Sequence, residues 1–135
     1  MRLFFDTNFI FDLLIREDYR DVANELISKA NTRGYDFYIS YLSAANFAYI
    51  IRKSSLEDRL FYLNKINEIF DFIENNQEQF LLAMRLKTDD FEDALQYQAA
   101  LAAECDCIIT RNQKDFIFSE IPVYTPKEFV EKFLG

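Results

Sequence analysis

The sequence predicts an α/β fold, a three-layer α/β/α sandwich around a central, mostly parallel sheet. Short apolar runs, clearest at residues 1–5 and 107–110, alternate with longer amphipathic segments. That alternation is typical of parallel sheets that are covered by helices on both faces. Only two Gly and two Pro occur among the 135 residues, so the connections are short and no linker divides the chain. We therefore expect a single domain, residues 1–135, with a hydrophobic core of its own.

Apolar spacing and capping residues predict the individual elements. The predicted strands are residues 1–5, 37–39, 70–73, 107–110 and 123–124. Residues 70–73 have an alternative interpretation as the tail of the helix before them. The predicted helices are residues 18–33, 43–53, 55–69, 77–86, 91–104 and a C-terminal helix from Pro126. Ser43 and Ser55 are expected to cap the second and third of these helices, because a serine hydroxyl accepts a hydrogen bond from the first helical turn. Pro126 suits the first position of the last helix, where its missing N–H costs nothing.

Composition excludes several classes of protein. Half of the residues are apolar and 17% are aromatic, which indicates a globular chain. No apolar run approaches the ~20 residues of a membrane span, and no signal peptide is recognised, so we expect a cytoplasmic protein. Cys105 and Cys107 are interpreted as reduced thiols of such a protein. The chain contains no histidine, which excludes Ser-His-Asp catalysis, His-bound zinc and histidine general bases.

The net charge of −8 argues against a passive nucleic-acid binder, which normally presents a basic surface. A nuclease that works through carboxylates and a metal ion partly escapes this objection, because the cation neutralises several acids and then attracts phosphate. Four basic residues are candidates for substrate binding: Arg52 and Lys53 end one predicted helix, and Arg111 and Lys114 follow the predicted strand 107–110. Ordinary surface solubility is the alternative interpretation of each.

Acids and amides gather where strands end. Asp6 follows the first strand, Asp115 lies shortly after the fourth, and Asp93 lies near the start of the helix before it. In an open α/β sheet, ligands bind at the carboxyl ends of the strands. Oxygen ligands without histidine suit a hard divalent cation, Mg²⁺ or Mn²⁺. The other acids of the Asp89–Asp93 segment are explained by helix capping and the helix dipole, whereas Asp93 lies a turn inside the helix.

These motifs resemble a PIN domain, in particular the VapC-like toxin ribonucleases. The resemblance rests on an ordered set: Asp6-Thr7-Asn8, Asp-Phe-Glu-Asp-Ala-Leu at 90–95, Ile-Ile-Thr-Arg-Asn at 108–112 with Asp115-Phe116, and Thr-Pro-Lys-Glu-Phe at 125–129. It covers nearly the whole chain. It implies a small α/β nuclease that uses Mg²⁺ or Mn²⁺ to cleave RNA, often as the toxin of a toxin–antitoxin pair. An antitoxin partner and a homodimer are further implications.

The resemblance also assigns site residues. It implies that Asp6 and Asp93 are metal ligands and catalytic residues, with Asp115 as a candidate third. The supporting polar residues around them are Asn8, Ser43, Asn46, Asp90, Thr110 and Asn112. Asn8 is also a candidate cap for a helix that begins near Phe9.

Two positions depart from the family pattern. Asn46 stands where the family usually has Glu, and Asn112 stands where it often has Asp. An amide oxygen can ligate a metal but brings no charge, so these two residues are expected to weaken the cation site. They motivate an alternative function, a PIN-like RNA-binding or regulatory module whose catalysis is weakened or lost.

Two other acidic α/β families fit less well. A haloacid-dehalogenase-type phosphatase needs a second Asp two residues after its nucleophile, and Asn8 occupies that place. A response-regulator receiver needs a phospho-accepting Asp at the end of a central strand, and no suitable residue is found.

Overall fold

A computed structural model describes residues 1–135 and shows one sheet of five strands. The strands are β1 (Arg2–Phe5), β2 (Asp36–Ser40), β3 (Asp71–Ile73), β4 (Cys107–Ile109) and β5 (Val123–Tyr124). Their order across the sheet is β3-β2-β1-β4-β5, and every neighbouring pair is parallel. The predicted α/β/α fold with a parallel sheet is confirmed.

Seven α-helices connect the strands. They are α1 (Thr7–Leu14), α2 (Glu17–Thr32), α3 (Tyr41–Ile50), α4 (Leu56–Ile69), α5 (Gln77–Arg85), α6 (Phe91–Ala102) and α7 (Pro126–Phe133). A short 3-10 helix, Gln113–Phe116, follows β4. Pro126 takes the first position of α7 behind a Thr125 capping box, as the sequence predicts.

The central strand β1 is buried on both faces, and its side chains divide between two cores. Leu3 and Phe5 belong to a cluster of 20 buried residues that draws on α1, α2 and α7. Phe4 points to the other face and packs with residues of α6 and with Ile108 of β4. Alternate residues of a strand face opposite sides of the sheet, so one continuous apolar run supplies both cores. Helices therefore cover the sheet on both faces.

Three local predictions are corrected by the structure. Ser40, not Ser43, caps α3, because the Ser40 side chain accepts a hydrogen bond from the Ser43 N–H. The same helix ends at Ile50 rather than continuing through Lys53. Helix α6 ends at Ala102 rather than Glu104, since Glu104 adopts a positive φ of 55° that a right-handed helix does not allow.

Both cysteines are free and buried at the start of β4. Burial raises the pKa of the Cys105 thiol and of the Cys107 thiol to about 12. None of the helices combines the length and the apolar composition that crossing a membrane requires.

Candidate active site

The strand order creates a crevice between β1 and β4. From β1 the chain moves outward through β2 to β3 on one side of the sheet, whereas β4 and β5 lie on the other side. Open parallel sheets bind their ligands at such a reversal of strand order, outside the carboxyl ends of the strands. Asp6 directly follows β1 and Thr110 directly follows β4, so both residues lie at this point.

Asp6 is held from two directions. It is 5% exposed; its Oδ1 accepts a hydrogen bond of 3.1 Å from the Phe9 N–H, and its Oδ2 accepts one of 2.7 Å from Thr110 Oγ1. Asp6 is thereby the cap of α1, and the expectation that Asn8 caps this helix is wrong. Burial raises the pKa of Asp6 to about 6, although both hydrogen bonds act in the opposite direction.

An open cavity of about 430 Å³ lies in front of Asp6. Five acidic side chains line it: Asp6, Asp90, Glu92, Asp93 and Asp115. Polar residues from α1, α3 and α6 complete much of the wall, among them Thr7, Asn8, Asn46 and Gln96. The three residues predicted as ligands and catalytic groups therefore share one cavity, from elements far apart in the sequence.

Asp93 has the most strongly raised pKa among the acids of the cavity. Burial, the neighbouring Asp90, and the charges of Asp115 and Asp6 together raise the pKa of Asp93 to about 8. Asp90 caps α6, because its side chain accepts a hydrogen bond of 3.2 Å from the Asp93 N–H. This agrees with the capping role that the sequence indicates for the acids before Asp93. A carboxyl group with this pKa is largely protonated at neutral pH, so the metal-free cavity carries less charge than its acid count suggests.

The donor set fits a hard divalent cation. All of the candidate ligands in the cavity are carboxylate, amide or hydroxyl oxygens, which Mg²⁺ and Mn²⁺ prefer. No three His, Cys, Asp or Glu side chains are arranged as a ready-made metal site. Burial is the main cause of the raised pKa values of Asp6 and Asp93, and repulsion by the neighbouring cavity acids adds to it for Asp93. A bound cation would relieve that repulsion.

Hydroxyl and amide groups support the cavity wall from behind. Ser43 is fully buried, and its Oγ lies within hydrogen-bonding distance of Thr7 Oγ1 at 3.0 Å, Ser40 Oγ at 3.3 Å and Gln96 Oε1 at 3.1 Å. Gln96 is 1% exposed and links this group to Glu92 through its Nε2. The network ties α1, β2, α3 and α6 together beneath the acids.

Comparison with known families decides the classification. The PIN domain family matches residues 2–114, which is most of the chain. The protein belongs to the PIN domain family. None of the curated protein sequences matches it.

Several solved structures share its fold. The chain is similar to a chain of VapBC2 from Rickettsia felis, with a TM-score of 0.75 and 16% identity over 91% of this chain and 97% of that one. VapBC-1 from nontypeable Haemophilus influenzae gives a TM-score of 0.74 and 16% identity, covering 94% and 99%. A toxin–antitoxin complex from Klebsiella pneumoniae gives 0.67 and 25% identity, covering 92% and 97%.

Thr110 and Asn112, like Ser43, are predicted site residues of this PIN domain that lie behind or beside the cavity rather than in it. Thr110 is buried and acts through Asp6. The Asn112 side chain does not line the cavity; the Asn112 N–H donates a hydrogen bond of 3.0 Å to Thr110 Oγ1. Asn112 therefore contributes a backbone donor to the hydroxyl that holds Asp6.

Arg111 does not face the cavity of this PIN domain. Its Nε and Nη2 donate to the two carboxylate oxygens of Asp12 at 2.6 and 3.1 Å. Its guanidinium carbon also lies 3.7 Å from the centroid of the Tyr19 ring. Asp12 is 2% exposed. This two-pronged ion pair fixes the loop after β4 against α1, so the structure gives Arg111 a structural contact where the sequence predicts a substrate contact.

The remaining predicted cations are exposed. Arg52 stacks on Tyr49, a cavity residue, with 3.8 Å between guanidinium carbon and ring centroid. Lys53 lies in the turn after α3, and Lys114 lies in the 3-10 helix beside Asp115. Arg16 lines the cavity directly and was not among the predicted residues. Its position depends on the turn between α1 and α2, for which the sequence carries no distinctive signal.

Glu92 is the other cavity residue that sequence reasoning assigned elsewhere. Its place at the start of a helix is sufficiently explained by capping and the dipole. In the structure Asp90 is the cap, whereas Glu92 projects toward α3, where Asn46 Nδ2 donates to its Oε1 at 2.6 Å. Only the packing of α6 beside α3 reveals this role.

Proposed function

We propose that this PIN domain is a metal-dependent endoribonuclease that hydrolyses RNA phosphodiester bonds as the toxin of a toxin–antitoxin pair. The observation that carries the proposal is the meeting of Asp6, Asp93 and Asp115 in one open cavity at the switch point of the sheet. Perturbed carboxylates at a ligand-binding edge are typical of functional sites. A cavity of this size and openness accommodates a phosphodiester.

Asp6, Asp93 and Asp115 would hold Mg²⁺ or Mn²⁺. When bound, such an ion supplies a Lewis acid that makes water more acidic and neutralises charge on the phosphate. The protein contributes positioning. Asp6 cannot rotate freely, because each of its oxygens accepts a hydrogen bond. Asp93 must lose its proton before it can bind a cation, and Asp115 reaches the cavity from the 3-10 helix that follows β4.

Cations around the cavity would meet the RNA backbone. Arg16 lies in the wall, and the stacked Arg52 lies at the rim beside Tyr49. Tyr49 and Ile50 are exposed cavity residues, and an aromatic ring beside a guanidinium is a surface on which an unpaired base can stack. Lys53 and Lys114 are exposed further out and would contribute charge attraction alone.

An antitoxin and a second copy of the chain are the proposed protein partners. The chain is similar in fold to structures of VapBC and other toxin–antitoxin complexes. Large exposed apolar side chains on α3 and α4, two of them in the cavity wall, support a protein partner, because exposed apolar patches often mark interaction sites. They are Tyr49, Ile50, Leu56, Leu60 and Phe61. The free, buried thiols favour a cytoplasmic location.

The test is cleavage of total RNA in Mn²⁺ by the wild type and by Asp93→Asn. We expect wild-type cleavage that EDTA abolishes and that Asp93→Asn reduces by at least about 100-fold, because the variant cannot supply a charged ligand. Asp21→Asn, an exposed acid on α2, is the matched control. Cleavage that persists undiminished in Asp93→Asn would come from a contaminant and would remove the nuclease proposal.

A second candidate function is an RNA-binding or regulatory module that no longer cleaves. The amide at Asn46 favours it, because this cavity position carries no charge. Binding of Mn²⁺ and RNA by the wild type without any cleavage would favour this candidate over the nuclease. The antitoxin is tested by co-expression with the product of the neighbouring reading frame, with stable co-purification as the expected result.

A further inference from the structure

We infer that Glu92 is a fourth carboxylate of the cation site and that Asn46 and Gln96 are the positioning residues that aim it. The inference deepens the proposed nuclease function and rests on it. Glu92 lines the same cavity as Asp6, Asp93 and Asp115. Glu92 belongs to α6 and contacts Asn46 of α3, a helix that contains no acid of its own.

Two amides hold one oxygen of Glu92. Asn46 Nδ2 donates to Oε1 at 2.6 Å, and Gln96 Nε2 donates to the same Oε1 at 3.4 Å. No protein group donates to Oε2, so this oxygen is available to a ligand in the cavity. A carboxylate in the wall of an acid-lined cavity that two neutral donors orient by one oxygen, with its other oxygen unpaired, has the arrangement of a metal ligand with its supporting residues.

The support behind Glu92 is rigid. Gln96 is 1% exposed, and its Oε1 lies 3.1 Å from the buried Ser43 Oγ. That hydroxyl also contacts Thr7 Oγ1, which belongs to the helix that Asp6 caps. Glu92 and Asp6 are therefore anchored to one network, although 86 positions separate them in the sequence. Glu92 is itself exposed, so this attachment is what distinguishes it from a freely solvated surface acid.

Charge explains why position 46 is an amide. Its Nδ2 lies 2.6 Å from a carboxylate oxygen of Glu92, where a second carboxylate would repel Glu92. An amide in the same place donates a hydrogen bond to Glu92 instead. The neutral Asn46 is therefore the hydrogen-bonding partner of Glu92, and this contact supplies one carboxylate to the cation site.

The experiment measures Mn²⁺ binding by titration calorimetry on the intact protein, with RNA cleavage as a second readout. Glu92→Gln retains an oxygen that accepts from both amides and removes only the charge. We expect Mn²⁺ affinity to fall about 10-fold or more, the size of effect seen for residues around metal sites. Asp89→Asn, an exposed acid of the same segment outside the cavity, is the matched control and should change affinity less than about twofold.

A swapped pair tests the partnership. In Asn46→Glu/Glu92→Gln the carboxylate moves to α3 and the amide to α6, so we expect this double variant to regain most of the Mn²⁺ affinity that Glu92→Gln loses. Asn46→Glu alone should not tighten binding, because two acids then compete at one contact.

The outcomes separate the inference from the function. Equal Mn²⁺ affinity of Glu92→Gln and Asp89→Asn, with the wild type binding and cleaving, overturns the role of Glu92 and leaves the nuclease standing. A wild type that binds no Mn²⁺ overturns both. Thermal melting in EDTA checks folding, and the melting temperature of Glu92→Gln should match that of the wild type because its hydrogen bonds remain.

Discussion

Thr110 Oγ1 donates a hydrogen bond of 2.7 Å to Asp6 Oδ2, joining two buried residues that lie 104 positions apart. The same hydroxyl accepts a hydrogen bond of 3.0 Å from the Asn112 N–H, so its proton is directed at Asp6. A strand end on each side of the switch point thus fixes one carboxylate. Several expectations follow from this contact and from the cavity around it.

Thr110→Val removes the donor and keeps the shape of the side chain. Asp6 Oδ2 then loses its only protein partner, which raises the pKa of Asp6 further and lets the carboxylate rotate. We expect Mn²⁺ affinity to fall about 10- to 100-fold and stability to fall by about 1–3 kcal/mol, the cost of a buried unpaired polar group. Calorimetric titration and chemical denaturation measure the two effects. Thr110→Ser restores the hydroxyl and should restore affinity; equal loss in both variants would contradict a role for the hydrogen bond.

Divalent cations should stabilise the folded protein. A ligand at about 100 times its dissociation constant that binds only the native state adds about 2.7 kcal/mol. Mn²⁺ should therefore raise the melting temperature of the wild type, and Asp93→Asn should show a smaller shift. Ca²⁺ and spermidine are useful comparisons, since a shift of the same size with spermidine would indicate general charge screening instead of a site.

Asp93→Asn should leave the metal-free protein as stable as the wild type or more stable. The wild-type carboxyl group is disfavoured in its charged form by burial and by Asp90, Asp115 and Asp6. An amide avoids that repulsion, so stability and function oppose each other here. Denaturation in EDTA measures the effect. A clear loss of stability would instead make Asp93 a structural residue of α6.

The metal-free protein should lose stability as pH rises from about 4 to 8. The pKa values of Asp6 and Asp93 rise from 3.8 to about 6 and about 8 on folding. Between the unfolded and folded values the native state binds more protons than the unfolded state, so stability falls with increasing pH. Asp6 contributes between pH 4 and 6, and Asp93 contributes up to pH 8. Asp93→Asn should flatten the upper part of the curve, measured by melting in EDTA; an unchanged slope between pH 6 and 8 would contradict the raised pKa of Asp93.

Arg111 should contribute to the stability of the fold, whereas Lys114 should contribute to RNA binding. Arg111→Gln leaves the buried Asp12 with Arg16 as its remaining ion-pair partner at 3.3 Å. We expect a loss of about 2 kcal/mol, below the 3–5 kcal/mol of a fully broken buried pair, because Arg16 persists. Lys114→Gln should leave stability unchanged and weaken RNA binding, with the effect shrinking as salt increases. Denaturation and RNA-binding titrations distinguish the two; unchanged stability in Arg111→Gln would contradict the structural role of the ion pair.

The fold could be predicted because its signals are local and repeated. Alternating apolar runs and amphipathic segments indicate a parallel sheet, and turn residues such as Gly34 and Pro126 mark where helices stop or start. The predicted start of α3 was wrong because two local signals compete there. Ser40 and Ser43 are both good caps, and only the end of β2 at Ser40 decides between them.

The site was predictable in part for a related reason. Acids that end central strands, such as Asp6, meet at one sheet edge by topology alone. The contacts of Glu92 and Arg111 could not be predicted from the sequence, because their partners are set by tertiary packing. Glu92 depends on how α6 lies beside α3, and Arg111 depends on Asp12, a buried acid within an apolar helix that no local motif identifies.

Cys107 at the start of β4, and Cys105 two residues before it, can report how often the folded chain opens. Cys107 is fully buried beside β1, and its thiolate form is strongly disfavoured in the folded protein. Alkylating reagents react with thiolates, so modification must wait until β4 separates from its neighbours. Thr110 directly follows β4, so separation of β4 from β1 would expose these thiols and also move Thr110 away from Asp6. The rate at which iodoacetamide adds mass to the native protein would therefore report how often β4 separates from β1 at the cavity.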